Sequence, residues 1–351
     1  MEPITHFLTG ACLSRTGLNR KTALATATVT LAAEAPDIDI VGNFKDPVFG
    51  FAHHRGFTHS FLGLVLVEAV VVGLICLVWR MRGRKTKDPR LPPRWGLLFL
   101  FSYLAGLTHI LLDFTNNYGV RPFWPFFEKW YSWDIVFIVE PVLLILLVGG
   151  LVLPALFSLI NEEIGAARQG PQGRLAAALA LVGVVAVWGV RDYQHRRAVH
   201  ALEARLYDGA DPIRSSVYPY WLNPFRWYGV VETENFYATM LIDSSIPDVD
   251  PDGRMRIRQK PEETAATLAA KQSYVGRVYL DWAQYPITET EPMEYPQPGY
   301  IVRFRDLRYD YPDQTRRAVL SASVDLDGNL KVVNERFGSR SRRVPGGTVK
   351  P

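Results

Sequence analysis

His53-His54-Arg55-Gly56-Phe57-Thr58-His59-Ser60 leads without a break into Phe61–Trp79, an apolar run whose one charged residue is Glu68. A bilayer core is crossed by about 20 apolar helical residues, so this stretch sets three histidines at the edge of a membrane helix. Neutral imidazole and carboxylate are the usual ligands of zinc and similar divalent ions. Ionisable groups at or inside membrane segments are costly, which marks them as functional. His109 and Asp113 lie four apart near the end of the next apolar run, Trp95–Phe114, and Pro36-Asp37-Ile38-Asp39 precedes both runs. A metal site at a membrane face is the strongest expectation these residues support.

Two further segments are apolar enough to span, Ile135–Ile160, interrupted by Glu140-Pro141, and the shorter, Ala-, Gly- and Val-rich Leu175–Val190. Ile4–Leu13 and Thr22–Ala33 are too short to cross alone and read as half-buried helices packed on the others. Residues 201–351 have ordinary soluble composition. The expected architecture is an α-helical polytopic membrane domain over residues 1–200 and a β-rich (α+β) soluble domain over residues 201–351.

The net charge of +4 belongs to the first 200 residues, which hold 19 Lys and Arg against 14 Asp and Glu. It reflects basic loops flanking membrane segments, and no nucleic-acid partner is expected. Cys12 and Cys76 are the only cysteines, which excludes a disulfide framework and a cysteine zinc site. The N-terminus has no basic stretch before an apolar core and reads as mature sequence.

Arg80 to Arg94 contains seven basic residues and one acid, Asp88, and the positive-inside rule places that loop in the cytoplasm. Phe61 then enters from outside, and the chain returns there after Phe114. The same topology brings His6, Asp37, Asp39, His53, His54, His59, His109, Asp113 and Asp134 to one face, an agreement the charge count did not require. If Leu175–Val190 spans, the C-terminal domain also lies on the non-cytoplasmic side, although Arg191, Arg196 and Arg197 then fall against the rule.

In the second half, Tyr228–Ile242, Tyr274–Trp282, Tyr300–Tyr309 and Ala318–Phe337 read as strands from their alternation, with Asp327-Gly328 as a hairpin turn. Pro261–Lys271 reads as a helix with Pro and two Glu in its first turn. Asp248 to Gly253 copies the start of a calcium loop, but its twelfth position is Gln259 rather than Glu, so an acidic turn is the preferred reading.

On a helix, His109 and Asp113 share a face and can bind one ion or bridge two. Gly56 permits the turn that His54 and His59 need to share a centre. Asp134 and Glu140 flank the start of the third span and are the candidate general bases. Arg55 is the candidate clamp for an anionic group. Taken singly, each has a plain alternative: a histidine buried near a helix end, a polar helix entrance, a helix-terminating turn. Together they supply more His and carboxylate than one structural ion needs, and paired metals suit phosphoester hydrolysis.

Thr5-His6-Phe7-Leu8-Thr9-Gly10, Pro36-Asp37-Ile38-Asp39, His54-Arg55-Gly56-Phe57-Thr58-His59-Ser60, His109 to Asp113 with Asn117-Tyr118-Gly119, and Trp133-Asp134 through Glu140-Pro141 resemble the YdjM-like, LexA-regulated inner-membrane proteins. The resemblance covers about residues 1–160. It implies a multi-pass protein of the bacterial inner (cytoplasmic) membrane, described as a metal-dependent hydrolase, with zinc as the expected ion. Glu140-Pro141 departs from the family's Asp-Pro. The His-x-x-x-Asp pair also resembles that of zinc-dependent phospholipases C.

The expected function is a membrane-bound metal-dependent hydrolase that acts through metal-activated water on a lipid-linked or amphiphilic ester or phosphoester substrate, with the lipid bilayer and a lipid-like substrate as its partners. The expected ligands of one or two divalent ions are His54, His59, His109 and Asp113, followed by Asp39, Asp37 and His6. The rival readings are a non-catalytic scaffold stapled by metal and an ion-coupled transporter.

Overall fold

A computed structural model describes residues 1–86, 88, 90–163, 173–246, 248–294, 298–312 and 320–342. Its helices, in chain order, are α1 (Pro3–Arg15), α2 (Ala25–Ala32), α3 (Pro47–His53), α4 (Phe61–Met81), α5 (Trp95–Phe114), α6 (Pro141–Glu163), α7 (Arg174–Glu203), α8 (Ala265–Gln272) and α9 (Tyr274–Trp282). The chain divides into two compact units, residues 1–38, 55–195 and 219–224 in the first and residues 39–54, 196–218 and 225–351 in the second.

The first unit is helical. Among the described residues, three helices are long and apolar enough to cross a membrane, α4, α5 and α7, and α6 adds a shorter apolar stretch over Pro141–Phe157. The capping chemistry explains where they start. Ser60 accepts the Gly63 N–H at 2.9 Å and opens α4. α6 begins at Pro141, where a missing N–H costs nothing, so the expected third span at Ile135–Ile160 starts six residues late. α4 turns Leu62, Leu66, Val70, Leu74 and Leu77 outward and buries Gly63, Leu64 and Glu68. That inverts the pattern of a water-soluble helix and suits lipid on the outer face.

Small residues let the helices approach closely. A Cβ on Gly10 of α1 would sit 2.6 Å from Cβ of Ala33, just after α2. A Cβ on Gly106 of α5 would lie 2.6 Å from Glu68 Oε1 and 2.5 Å from Leu64 Cδ1 of α4. One core gathers Cys12, Leu112, Leu143, Leu147, Ala177, Ala180 and Val184 from α1, α5, α6 and α7. A second gathers Ala25, Val29, Ala32, Leu98, Phe101 and Ala105 from α2 and α5. α1 and α2 fall on the short apolar segments Ile4–Leu13 and Thr22–Ala33.

The second unit is rich in antiparallel sheet. Its strands are β1 (Arg214–Pro219), β2 (Arg226–Glu232), β3 (Phe236–Asp243), β4 (Asp248–Val249), β5 (Arg256–Gln259), β6 (Pro286–Met293), β7 (Gly299–Asp306), β8 (Ala322–Asp327), β9 (Val332–Phe337) and β10 (Arg340–Arg342). One sheet runs β1-β2-β3-β4 with β5 also on β3, and the other runs β10-β9-β8-β7-β6. Asp327-Gly328 turns β8 into β9 as expected, and Asp327 Oδ1 accepts the Asn329 and Lys331 amides at 2.9 Å. Ala318 and Val319 lie outside the described residues. Phe51 of α3 stacks on Phe337 with ring centroids 4.1 Å apart and meets Trp282 edge-on at 5.3 Å.

Tyr274–Trp282 is a helix, α9, and the strand reading is corrected. Its buried residues are Val275, Gly276, Tyr279 and Trp282, a helical spacing that alternation alone concealed. Ser273 caps it by accepting the Gly276 N–H at 3.0 Å. The helix expected over Pro261–Lys271 starts later, at Ala265, because Thr264 forms a capping box with Thr267.

Candidate metal centre

Asp37, His59, His109 and Asp113 converge until one donor atom of each lies within 4.8 Å of all the others. Asp37 comes from the 3₁₀ segment Ala35–Phe44 and His59 from the single turn Phe57–His59 that precedes α4. His109 and Asp113 stand one turn apart at the end of α5. The side chains of His59, His109 and Asp113 are fully buried, whereas that of Asp37 keeps 24% of its surface exposed.

The spacing of the donors is informative. His109 Nε2 lies 3.1 Å from His59 Nε2. His59 Nε2 is 3.3 Å from Asp113 Oδ2 and 3.4 Å from Asp37 Oδ1. His109 Nε2 is 3.5 Å from Asp113 Oδ2 and 3.6 Å from Asp37 Oδ1. A tetrahedral zinc ion with bonds of about 2.0–2.1 Å places its donors roughly 3.3–3.4 Å apart. These five separations bracket that edge, so the donor set fits one small divalent cation.

The surroundings orient the donors. His109 Nδ1 lies 2.7 Å from the Ala33 carbonyl, which only accepts. Nδ1 therefore carries the proton and Nε2 presents a lone pair to the cluster. Thr58 Oγ1 is 3.0 Å from His59 Nδ1. Asp113 Oδ2, on the cluster side, is buried without a hydrogen-bond donor, an orphan that a cation would satisfy. Asp113 Oδ1 instead accepts from Arg55 Nη2 at 2.8 Å and from the Met1 amino group.

His6 is buried with its ring stacked on His109, centroids 3.7 Å apart. Among the described residues neither of its ring nitrogens has a hydrogen-bond partner, and Nε2 stands 3.4 Å from Asp113 Oδ1. Burial, then the neighbouring His109, keeps its pKa well below the ordinary histidine value. His6 is thus a neutral imidazole beside the cluster.

The other expected site residues are placed differently. His54 and Asp39 belong to the second unit and pair with each other, Nδ1 to Oδ1 at 3.0 Å. The turn between His54 and His59 carries a left-handed residue at Arg55, φ 52°, rather than at Gly56. Arg55 is buried, with Nη1 3.1 Å from the Gly119 carbonyl and 3.3 Å from Asn116 Oδ1, and its guanidinium 4.7 Å over the Tyr118 ring. Asp134 adopts φ 58° just beyond the pairing of Trp133 N–H with the Phe114 carbonyl, 2.7 Å. Glu140 is fully buried and pairs with Arg191 of α7 at 2.8 Å, while Arg191 also donates to the Asn223 carbonyl at 3.1 Å.

Two contributors were not read from the sequence. The Ala33 carbonyl is a backbone group and leaves no residue signal. Glu34 does have one, a carboxylate three residues before Asp37. Burial, then Asp37, pushes its carboxyl up to about 7.

The model of the YdjM inner membrane protein family matches residues 1–198, which include all four clustered residues. The chain is also similar to YfhP, an uncharacterized protein of Bacillus subtilis (strain 168), at 24% identity over 319 residues, 88% of this chain and 87% of that one. No solved structure matches significantly.

Proposed function

The chain belongs to the YdjM inner membrane protein family, and from that premise we propose that it is a membrane-bound metal-dependent hydrolase acting on a lipid-linked or amphiphilic phosphoester. The observation that carries this reading is the Asp37–His59–His109–Asp113 donor set, five of whose separations lie near a tetrahedral zinc edge, at the end of two apolar helices. A divalent ion held there, zinc by the chemistry of the donors, supplies a Lewis acid and brings the pKa of water towards neutrality.

The chain's own residues divide the remaining work. His59, His109 and Asp113, all fully buried, form the fixed part of the set. Asp37 is the exposed member, on the side from which substrate and water arrive. Arg55 braces Asp113 and is a positioning residue in this arrangement. Its guanidinium sets positive charge beside Asp113 Oδ1, which disfavours a second cation there. One ion is therefore the proposal. For the proton transfer, Asp134 is retained and Glu34 is added as a candidate base, since Glu140 is engaged by Arg191.

A second reading has its own support. Four protein donors close a tetrahedral shell, and closed shells are the mark of structural zinc. A metal-stapled scaffold would use all four, whereas an enzyme needs Asp37 to share or yield its position. The test is zinc-loaded, detergent-purified protein assayed on phospholipid and polyprenyl-phosphate substrates, with His109→Ala and a chelated sample beside it. Product release that depends on metal and on His109 supports the hydrolase. Stoichiometric zinc with no turnover of either class favours the scaffold.

A further inference from the structure

Phe123, Phe126 and Phe127 expose 44%, 75% and 65% of their surfaces on one short loop of the first unit. Polar solvent is a poor environment for such a group, and contiguous exposed aromatics mark an interaction surface. The loop is well anchored. Val120 and Tyr131 exchange both backbone hydrogen bonds at 2.9 Å and close its base. At the tip, the Phe126 and Phe127 amides donate to the Phe123 carbonyl at 3.0 and 3.2 Å, so the phenyl rings are presented by a closed turn.

The level of this turn is fixed against the apolar helices. The Phe61 N–H, at the first residue of α4, donates to the Pro122 carbonyl at 2.9 Å. Phe61 and Phe123 meet edge to face with centroids 5.5 Å apart, and Phe57 meets Trp124 in the same way at 5.6 Å. α4 has 21 residues, about 30 Å of helix, the thickness of a bilayer core. Its first turn therefore lies where hydrocarbon gives way to headgroups, and the aromatic turn continues the outward apolar surface of α4 at that depth. Glu128 and Lys129 follow directly and are exposed, as expected where a surface leaves the apolar layer. Phe, like Trp and Leu, forms the apolar face of elements that lie in this boundary layer.

We propose that the turn Phe123–Phe127 is a lipid-inserted wedge, with Phe126 and Phe127 seated among the headgroups and upper acyl chains of the leaflet that holds the metal centre. The wedge is tied to that centre. The Arg121 amide donates to the Arg55 carbonyl at 3.3 Å, and the Arg55 guanidinium grips Asp113. The donor set thereby sits at headgroup depth, and an amphiphile reaches it by lateral movement within the leaflet. This last step rests on the hydrolase reading, whereas the wedge itself does not.

The test measures depth. In a Cys12→Ala/Cys76→Ala background, nitroxide labels are placed by Phe126→Cys, Phe127→Cys, Leu74→Cys as the lipid reference and Asp208→Cys as the water reference. Each variant is reconstituted in phosphatidylglycerol-containing vesicles, and a thermal midpoint in detergent equal to the parent's verifies the fold. Collision with oxygen should exceed collision with a neutral nickel chelate at positions 126 and 127, with a ratio below that of mid-bilayer Leu74 and well above that of Asp208. A ratio like that of Asp208 overturns the proposal. Exclusion of both reagents, or dipolar coupling between labelled copies, also overturns it in favour of a protein partner. The measurement reads neither metal chemistry nor turnover, so failure of the hydrolase reading leaves the result interpretable.

Discussion

His59 and His109 hold their Nε2 atoms 3.1 Å apart, although 50 residues separate them in the chain. Two imidazole nitrogens with two carboxylates around them form a shell of lone pairs, and a cation is the species that such a shell stabilises. The first expectation follows directly. Replacing His59 or His109 by Ala should lower zinc content of the purified protein at least tenfold under mild chelation, as read by elemental analysis. Glu68→Ala, in the same helical bundle but outside the donor set, should leave zinc content at the parent level.

Asp37 separates the enzyme from the scaffold. Asp37→Asn keeps the side chain's shape and removes its charge. If Asp37 faces the open position, the variant should retain most of its zinc and lose turnover by roughly 100-fold, the lower end of the range for a group that acts in proton transfer. Loss of zinc to the same extent as in His109→Ala would make Asp37 a structural ligand.

Glu140 and Arg191 make a buried ion pair at 2.8 Å. Removing one partner strands the other, which costs about 3–5 kcal/mol. Arg191→Met should therefore lower the thermal midpoint in detergent strongly, and the double variant Glu140→Leu/Arg191→Met should recover most of the loss. If the double variant is as unstable as the single one, the pair is not what stabilises this region.

Gly106 is the point where α5 meets Glu68 and Leu64. A methyl group there would approach Glu68 Oε1 to 2.6 Å and Leu64 Cδ1 to 2.5 Å. Gly106→Ala should cost about 1–3 kcal/mol through overpacking. Gly96→Ala, at a position with nothing nearby, should be neutral or stabilising in the same thermal assay.

Orientation is open to a labelling experiment. The basic loop between α4 and α5 is proposed to be cytoplasmic, with the donor set on the opposite face. Asn117 is buried, so Glu128, which is exposed, is the better reporter for the site's face. In intact cells a membrane-impermeant maleimide should label Glu128→Cys and spare Thr86→Cys. The reverse pattern would place the metal centre in the cytoplasm.

Much of this was legible in the residues. His59, His109, Asp113 and Asp37 stand out because charge and imidazole are rare beside long apolar runs, and the runs themselves show the spans. What failed to show was the pairing within each cluster. His54 and His59 are five apart, but the left-handed turn at Arg55 sends them to different units, and neighbours in sequence became separate partners. Arg55, read as a clamp for substrate, is buried against Asp113, a contact between residues 58 apart. Glu140 looked like a stray charge in a span until Arg191 supplied its partner from α7. Tyr274–Trp282 satisfied a two-residue alternation and a helical period together, and only the capping Ser273 distinguishes them. For Arg55 and Glu140 the missing information was long-range packing, which local pattern does not encode.

The central claim is that one divalent ion is held by two imidazoles and two carboxylates at this position. X-ray absorption at the zinc edge, on unchelated protein purified in detergent, tests it most directly. The account predicts about one zinc per chain, a first shell of nitrogen and oxygen at about 2.0–2.1 Å, and outer-shell scattering from two imidazoles that drops to one in His59→Ala. Protein without stoichiometric transition metal, or a zinc spectrum unchanged by replacement of His59 and of His109, would contradict it.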